Sequence, residues 1–272
     1  MRLAFVSDLH FDLPIKAPPR QYFDIFSKLV KAKGIDILVL GGDISDFYTL
    51  TISFVEMLQK RLEIPVYFIP GNHDFYSEQK HKDTWDIYDE FKEHPQCLIE
   101  SPLKLTDEYT LVGHTAWFNF SFHNETANNY YSQEGLTPEG LVYKEKEYTN
   151  WNMTDIELSK YFSKIIEKDF QLNYSPHYIL VTHVMNHAVF AKDIDEDPHV
   201  EPRFIPFAAT NDLDKIFESY SIPYSIQGHY HIRQRVQQGD TLFVSCALGR
   251  PEEWKSNNIS KELEEAVFIL DI

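Results

Sequence analysis

Short apolar runs, separated by amphipathic stretches, dominate the first part of the chain. Residues 2–7, 35–40 and 64–69 are mainly apolar and are followed by polar or turn-forming residues, as buried strands are. The stretches between them have apolar residues at helical spacing, and Gly34 follows the first as a helix-terminating residue. This succession of strand, helix, strand, helix and strand predicts parallel strands joined by right-handed crossovers.

The rest of the chain adds further strands and helices. Residues 77–93 and 154–169 have helical patterns, and Thr154 and Glu157 form a capping box at the start of the second. The remaining predicted strands lie at 97–99, 103–105, 109–113, 178–182, 223–227, 232–237, 241–247 and 265–271. The sequence therefore predicts an α/β protein whose last third is rich in strands.

A long excursion at about 114–177 is the least regular part of the chain. It is rich in aromatic residues, Asn and Glu. Excursions of this length in compact domains are usually functional loops or lids, although a peripheral cap that only covers the core fits the pattern equally well. We find no internal repeat, low-complexity tract or linker, so we predict one domain spanning residues 1–272.

Composition narrows the class of protein. The 272 residues are 43% hydrophobic and 15% aromatic, which suits one large domain with a sizeable core. No stretch approaches the roughly 20 apolar residues that span a bilayer, and the N-terminal apolar run is too short for the core of a signal peptide. Cys97 and Cys246 are the only cysteines and lack metal-site spacing. We therefore expect a cytoplasmic protein with reduced thiols and no membrane partner.

The formal net charge of -17 bears on the kind of partner that the protein can bind. A surface this acidic repels long polyanions, which makes nucleic acid an unfavourable partner. It remains compatible with a small phosphorylated substrate that is drawn to a locally cationic pocket. The sequence makes no prediction of the oligomeric state.

Polar side chains follow several of the predicted strands at the point where each strand ends. These residues are Asp8, His10, Asp43, Asn72, His73, His183, His229 and His231. In open α/β sheets, ligands bind at the carboxyl ends of the strands, so we expect these side chains to lie together there. One such residue alone is usually a polar loop residue or a helix cap, but a succession of them at one edge favours a binding site.

The chemistry of these side chains favours a metal site. Oxygen and imidazole ligands without thiolate suit Mn, Fe or Zn rather than a structural zinc site. The set of candidate ligands is larger than one ion needs, and it fits two divalent ions that share a bridging carboxylate. Two ions about 3.5–4 Å apart lower the pKa of a bridging water and neutralise the charge on a phosphoryl group under attack.

The same residues resemble the five-block signature of the calcineurin-like metallophosphoesterases. The blocks are Asp8-Leu9-His10, Gly42-Asp43, Gly71-Asn72-His73-Asp74, His183 and Gly228-His229-Tyr230-His231, in that family's order. The resemblance runs from Asp8 to His231, and it is vague in the excursion. It implies a four-layer αββα sandwich of two mixed sheets flanked by helices, with a dimetal site at the carboxyl edge of the strands.

The resemblance also implies a role for each residue. Asp8, His10 and His231 would bind the first ion, Asn72, His183 and His229 the second, and Asp43 would bridge the two. By the same resemblance, a metal-bridging hydroxide attacks the phosphorus in line, and His73 acts as general acid for the leaving oxygen. A His beside two cations needs a carboxylate to stay protonated. Asp46 matches the family position for this carboxylate, and we favour it over Asp74.

Departures from family patterns narrow the substrate. Phe47 and Tyr48 after Asp46, and Asp74 after His73, differ from the pattern of protein Ser/Thr phosphatases. The Gly-His-x-His ending resembles the phosphodiesterase-like and small-molecule branches. We therefore expect hydrolysis of a small phosphodiester or phosphomonoester, with the diester slightly favoured. The alternatives are a nuclease-type phosphodiesterase, which the net charge disfavours, and a non-catalytic metal-binding scaffold, which the complete set of ligand positions disfavours.

Several other residues have weaker support for a role in the site. Aromatic residues between 117 and 122 could stack on a base or sugar, in which case Trp117→Ala would weaken substrate affinity. Three histidines fit positions away from the site better than positions in it: His114 and His123 in loops of the excursion, and His187 at the surface. Arg250 could contact phosphate, or it could pair with one of the many acidic residues.

Overall fold

The computed structural model describes residues 1–13, 18–77, 82–121, 144–190 and 206–272. Ten strands lie in these ranges: β1 (Arg2–Val6), β2 (Ile37–Leu40), β3 (Val66–Phe68), β4 (Leu103–Lys104), β5 (Tyr109–His114), β6 (His177–Thr182), β7 (Tyr224–Gln227), β8 (Arg233–Gln238), β9 (Thr241–Cys246) and β10 (Phe268–Asp271). The same ranges contain seven α-helices: α1 (Pro19–Lys33), α2 (Tyr48–Leu62), α3 (Thr84–Glu93), α4 (Lys144–Tyr148), α5 (Asp155–Leu172), α6 (Asp214–Ser219) and α7 (Ile259–Ala266).

The strands form two mixed sheets. In the first, the order is β10-β1-β2-β3, with β1, β2 and β3 parallel and β10 antiparallel to β1. In the second, the order is β4-β5-β6-β7-β9-β8, with β5, β6, β7 and β9 parallel and antiparallel strands at both edges. The predicted architecture of two mixed sheets flanked by helices is confirmed, and so are the parallel strands that begin the chain.

Side-chain alternation along β1 explains how the layers pack. Leu3 and Phe5 belong to one buried cluster with Ile179 and Val181 of β6, which places this cluster between the two sheets. Ala4 and Val6 belong instead to the cluster that contains the buried residues of the helices. Successive residues of a strand point to opposite faces, so each strand serves both the inter-sheet core and a helical layer.

Local signals set the ends of two predicted helices. Gly34 adopts a left-handed φ of 64° at the end of α1 and donates its N–H to the carbonyl of Val30. The capping box of Thr154 and Glu157 is present at the start of α5, which extends beyond its predicted end to Leu172. Among the helices that the structure describes, none is long and apolar enough to cross a bilayer.

Two predicted elements have wrong boundaries. The helix predicted at 77–93 is observed at Thr84–Glu93, where the Asp83 carboxylate accepts a hydrogen bond from the amide of Trp85 as an N-cap, and residues 78–81 lie outside the described ranges. The strand predicted at 265–271 begins only at Phe268, and α7 precedes it. That helix was missed because Glu262, fully buried, interrupts the apolar face that Ile259 and Leu263 would otherwise mark.

The long excursion is only partly described. It leaves the sheet after β5, and residues 122–143 lie outside the described ranges. The chain then forms α4 and α5 before it returns to the second sheet at β6. A lid function for this region stays a prediction, and so does the assignment of the whole chain to one domain.

Candidate metal centre

The candidate ligands converge where strands of both sheets end. β1, β2 and β3 lead to Asp8, Asp43 and Asn72, and two strands of the second sheet, β6 and β7, lead to His183 and His229. Backbone hydrogen bonds join these loops, including those from Asp8 N to Gly42 O (2.9 Å) and from Gly228 N to His183 O (3.0 Å). The structure thus brings together all seven residues that the sequence suggested as ligands.

The backbone at this edge has an unusual conformation. Four of the candidate ligands have a positive φ: 55° at Asp8, 40° at His10, 49° at Asp43 and 72° at His229. Non-glycine residues rarely adopt this left-handed region, and they do so mainly where the surrounding structure requires it at a functional site. Gly42, with φ of 92°, leaves no room for a side chain, because a Cβ there would lie 2.6 Å from His183 Nδ1.

The first cluster consists of Asp8, His10 and His231. The Nε2 atoms of His10 and His231 lie 3.1 Å apart, and His231 Nε2 is 3.5 Å from an Asp8 carboxylate oxygen. On its other side, His231 Nδ1 lies 2.7 Å from Glu253 Oε2. An ionised Glu253 can only accept a hydrogen bond, so His231 carries a proton on Nδ1 and can turn the Nε2 lone pair toward the cluster.

The second cluster contains Asp43, His183 and His229, and Asn72 adjoins it. His183 Nε2 lies 3.0 Å from Asn72 Oδ1 and 3.2 Å from Asp43 Oδ1. His183 Nδ1 donates to the carbonyl of Gly41 at 2.9 Å, and His229 Nε2 donates to that of Phe207 at 2.7 Å. Because a carbonyl can only accept, these contacts fix which ring nitrogen of each histidine keeps a lone pair for the cluster.

Asp43 lies between the two clusters. One carboxylate oxygen is 3.2 Å from His183 Nε2, and the other is 3.7 Å from His10 Nε2. The first oxygen also accepts the backbone N–H of His73 at 2.9 Å. A buried carboxylate with one oxygen toward each cluster is the arrangement that two ions with a shared ligand require.

Electrostatics support the binding of cations at this edge. Burial alone would lower the pKa of His183 and His231, but neighbouring carboxylates raise them to about 9 and about 10. Burial would raise the pKa of Asp43, yet the surrounding histidines lower it well below its usual value. The cluster therefore favours positive charge between its carboxylates. Together with the carboxylate, imidazole and amide-oxygen donors, this fits divalent ions.

His73 lies beside the clusters with a carboxylate partner. Its Nδ1 is 2.8 Å from Asp46 Oδ1, and its Nε2 faces the centre at 3.9 Å from Asp43 Oδ2. Burial alone would lower the pKa of His73, but Asp43 and Asp46 together raise it above its usual value. The structure therefore places Asp46 next to His73, as the favoured assignment expected.

Asp74, the alternative partner, has a different role. Its carboxylate accepts hydrogen bonds from the backbone N–H of Ile44, Ser45 and Gly71 and from the hydroxyl of Thr51. Burial and the nearby charge of Asp43 raise the pKa of Asp74 to about 7. Asp74 thus joins the loops after β2 and β3 and does not contact the His73 ring.

The aromatic hypothesis for the excursion is wrong for Trp117. This side chain is 1% exposed, and its Nε1 donates to Asp155 Oδ1 at 2.9 Å, so it belongs to the core and cannot stack on a substrate. Phe118 is also buried. Phe120 is half-buried, and its ring lies 5.3 Å from that of Phe207, whose carbonyl accepts from His229. Phe122 lies outside the described residues.

The other singled-out residues have contacts of their own. His114 ends β5 and is fully buried, with Tyr88 Oη 3.2 Å from its Nε2, so its predicted loop position is wrong. Burial lowers the pKa of His114 to about 3. His187 packs against the ring of Phe243 at 4.6 Å, and His123 lies outside the described residues. Arg250 donates its backbone N–H to Glu253 Oε2 at 2.7 Å, and its Nε is buried without a hydrogen-bond partner among the described residues.

Sequence reasoning missed two carboxylates that contact the candidate ligands. Glu253 lies in the short 3-10 turn Pro251–Glu253 and contacts His231. Glu145 lies in α4 and contacts Asn72. Neither belongs to a motif or follows a strand, so no local pattern of the sequence marks them.

Comparisons with known proteins agree with this geometry. The model of a family described as calcineurin-like phosphoesterase matches residues 1–233. The fold is similar to that of a phosphopantetheinyl hydrolase from Mycobacterium tuberculosis, with a TM-score of 0.68 and 17% identity over 93% of this chain and 91% of that one. It is also similar to the protein TT1561 of Thermus thermophilus, with a TM-score of 0.53 and 12% identity over 99% and 98%. A search of curated proteins gave no significant match. At these identities, the structural similarity concerns the fold alone.

Proposed function

The chain belongs to the calcineurin-like phosphoesterase family, and from this membership we propose that it is a dimetal-dependent hydrolase of a small phosphodiester or phosphomonoester. The observation that carries the proposal is the position of Asp43 between two histidine-containing clusters, with His73 beside them. A relative that had become a non-catalytic binding scaffold would be expected to have lost some of the metal ligands or the histidine at position 73.

The residues divide between two ion sites. Asp8, His10 and His231 would hold one ion, Asn72, His183 and His229 the other, and Asp43 would be shared. When bound, two divalent ions such as Mn, Fe or Zn would make water a stronger nucleophile and offset the negative charge of the phosphoryl group. The described donors include no thiolate, which is consistent with this choice of metals.

His73 is the proposed general acid. Its Nδ1–H donates to Asp46, which leaves Nε2 facing the centre. Asp43 and Asp46 raise the pKa of His73, which favours a proton on Nε2 that could pass to the leaving oxygen. Asp46 acts through His73 by fixing its ring orientation and its charge.

Two features support a small substrate. The net charge of -17 disfavours a long nucleic acid, and the sites for the ions would create local positive charge within this acidic protein. One fold neighbour is named a phosphopantetheinyl hydrolase, which makes a phosphopantetheinyl ester one natural candidate for a substrate panel.

The test compares two model esters on one protein sample. Metal-stripped protein, reloaded with Mn, is given bis(p-nitrophenyl) phosphate and p-nitrophenyl phosphate in parallel. Faster cleavage of the diester supports a phosphodiesterase, and faster cleavage of the monoester supports a phosphatase. If neither ester nor a panel of cyclic nucleotides, dinucleotides and phosphopantetheinyl esters is hydrolysed while two ions are bound, the protein is a metal-binding scaffold and the proposal is wrong.

A further inference from the structure

The short helix α4 places a buried carboxylate directly behind one of the candidate metal ligands. Glu145 Oε1 accepts hydrogen bonds from Asn72 Nδ2 at 2.6 Å and from the hydroxyl of Tyr76 at 2.9 Å. Glu145 is only 8% exposed. Among the ion pairs of the described residues, Lys144 lies near Asp46 and Lys146 near Asp155, and none neutralises Glu145.

A buried carboxylate without a cationic partner is costly, so its contacts need an explanation. The contact with Asn72 provides one, because the two ends of an amide differ in chemistry. The amide oxygen can bind a cation, whereas the N–H₂ group can only donate. A carboxylate only accepts, so Glu145 holds the N–H₂ group on its own side and leaves Oδ1 on the side of His183, 3.0 Å from its Nε2.

From this geometry we propose that Glu145 is a positioning residue for the second ion, which fixes the Asn72 amide with its oxygen toward the metal. This inference rests on the proposed metal centre. Glu145 also adds negative charge behind the amide, which strengthens the oxygen as a donor, as outer carboxylates do for other metal ligands. Tyr76, the second donor to Glu145, stacks on Tyr148 of the same helix at 5.2 Å and so helps to seat α4.

The first experiment measures metal binding. Wild type, Glu145→Ala, Glu145→Gln and Glu147→Ala are dialysed against a series of buffered free Mn²⁺ concentrations, and bound Mn is measured by mass spectrometry. Glu147 is the matched control, since it is exposed on the same helix. We expect Glu145→Ala to lower the affinity for the second ion by roughly 10- to 100-fold and to leave the affinity for the first unchanged. Glu145→Gln keeps an acceptor oxygen for Asn72 and should retain most of the affinity.

Thermal unfolding of the metal-free proteins separates positioning from a purely structural role. A positioning role predicts that Glu145→Ala loses ion affinity even where its metal-free melting temperature matches that of Glu147→Ala. If Glu145→Ala does not fold, the single variant Asn72→Asp and the double variant Asn72→Asp with Glu145→Gln replace it. In the single variant, the new carboxylate would face that of Glu145, and repulsion between the two should turn it out of position and weaken binding of the second ion. In the double variant, the new glutamine amide can donate to the new carboxylate and should restore binding.

Unchanged affinity for both ions in Glu145→Ala, or no recovery in the double variant, would overturn the inference. These outcomes differ from a failure of the proposed function. Wild-type protein that binds fewer than two ions would remove the premise itself. Two bound ions with the expected loss in Glu145→Ala, but no hydrolysis of any ester, would keep this inference and contradict only the proposed enzyme.

Discussion

The two halves of the candidate metal centre differ in how their outer contacts are buried. His183 is fully buried, and the groups that orient the second cluster are the carbonyls of Gly41 and Phe207 and the buried carboxylate of Glu145. In the first cluster, the side chain of His231 is 18% exposed, and that of its partner Glu253 is 40% exposed. Each cluster has two buried ligands and one half-buried histidine, so the contrast lies in the outer carboxylates. Glu145 is buried behind the second half, whereas Glu253 lies on an exposed turn behind the first.

The turn of the first half is itself anchored by an ion pair in which the acid, Glu262, is fully buried and Arg233 is partly exposed. Arg233 donates to the carbonyls of Ala247 and Leu248 and to Glu262 Oε2 at 2.6 Å, just before the chain reaches Glu253. The difference between the halves suggests that ions bind with unequal affinity, the second more tightly than the first. Variants in each half, and of His73, which belongs to neither, would test this contrast.

The largest effect is expected for His73, because the proposed general acid would act on the leaving oxygen without holding an ion in either half. His73→Gln should lower kcat by about 10²- to 10⁴-fold for an alkyl ester while two ions stay bound. With p-nitrophenyl esters the loss should be much smaller, since that leaving group needs little protonation. Steady-state kinetics on both ester types, with metal analysis of each sample, checks this. Equal losses for the two leaving groups would argue against a general acid.

Removing the anchor of the first half should mainly affect stability. Glu262→Ala leaves the Arg233 guanidinium without its buried partner but with two carbonyl acceptors, which should lower the free energy of unfolding by roughly 1–3 kcal/mol. Urea unfolding measures the loss. Glu265→Ala is the matched control, because Glu265 is exposed on the same helix and its Oε2 is 3.9 Å from Arg233 Nη1. Similar losses in the two variants would show that the buried contact of Glu262 with Arg233 contributes no more to the free energy of unfolding than the exposed contact of Glu265.

The outer partner of the first half should matter less than that of the second. Glu253→Ala removes the acceptor for His231 Nδ1 and should lower the affinity for the first ion by roughly tenfold. This is a small effect for the loss of an outer carboxylate, because Glu253 is exposed. Metal titration compares it with its exposed neighbour in Glu252→Ala. A larger effect at Glu253 than at Glu145 would reverse the proposed contrast between the two halves.

The smallest effect is a shift in pH dependence. Asp46 raises the pKa of His73, and a general acid loses activity as pH rises through its pKa. Replacing Asp46 by Asn should therefore move the falling alkaline limb of kcat to lower pH. A pH profile with an alkyl ester measures the limb. If the alkaline limb moves to higher pH or does not move, Asp46 does not raise the pKa of the group that donates the proton.

The sequence placed the candidate ligands at one edge of the sheet because most of them follow a strand that is itself easy to recognise. Their role as metal ligands stays a prediction. Asp8, Asp43 and Asn72 follow apolar runs, so their place at the sheet edge depends only on local patterns and on parallel pairing. The partner of His73 was expected to be Asp46 from its position in the motif. Local spacing was sufficient to predict this contact, since the two residues lie on loops that follow the neighbouring strands β2 and β3.

Other features depend on contacts between distant segments and could not be predicted. Glu145 and Glu253 reach the ligands from short elements that have no periodic pattern. The irregular sequence of the excursion suggested a stacking role for Trp117 and a loop position for His114, whereas both are buried by packing against α3 or α5. Glu262 concealed α7, because a charged residue at a core position is explained only by its distant partner Arg233.

The left-handed backbone at Asp8, His10, Asp43 and His229 has a consequence for protein design. Residues in this region cost of order 1–3 kcal/mol each, and the surrounding fold must supply that energy. A transplant of the ligand side chains onto an idealised α/β scaffold would therefore fail, since relaxed loops would aim the same residues elsewhere. A designer who wants this centre has to copy its loops with their backbone conformation.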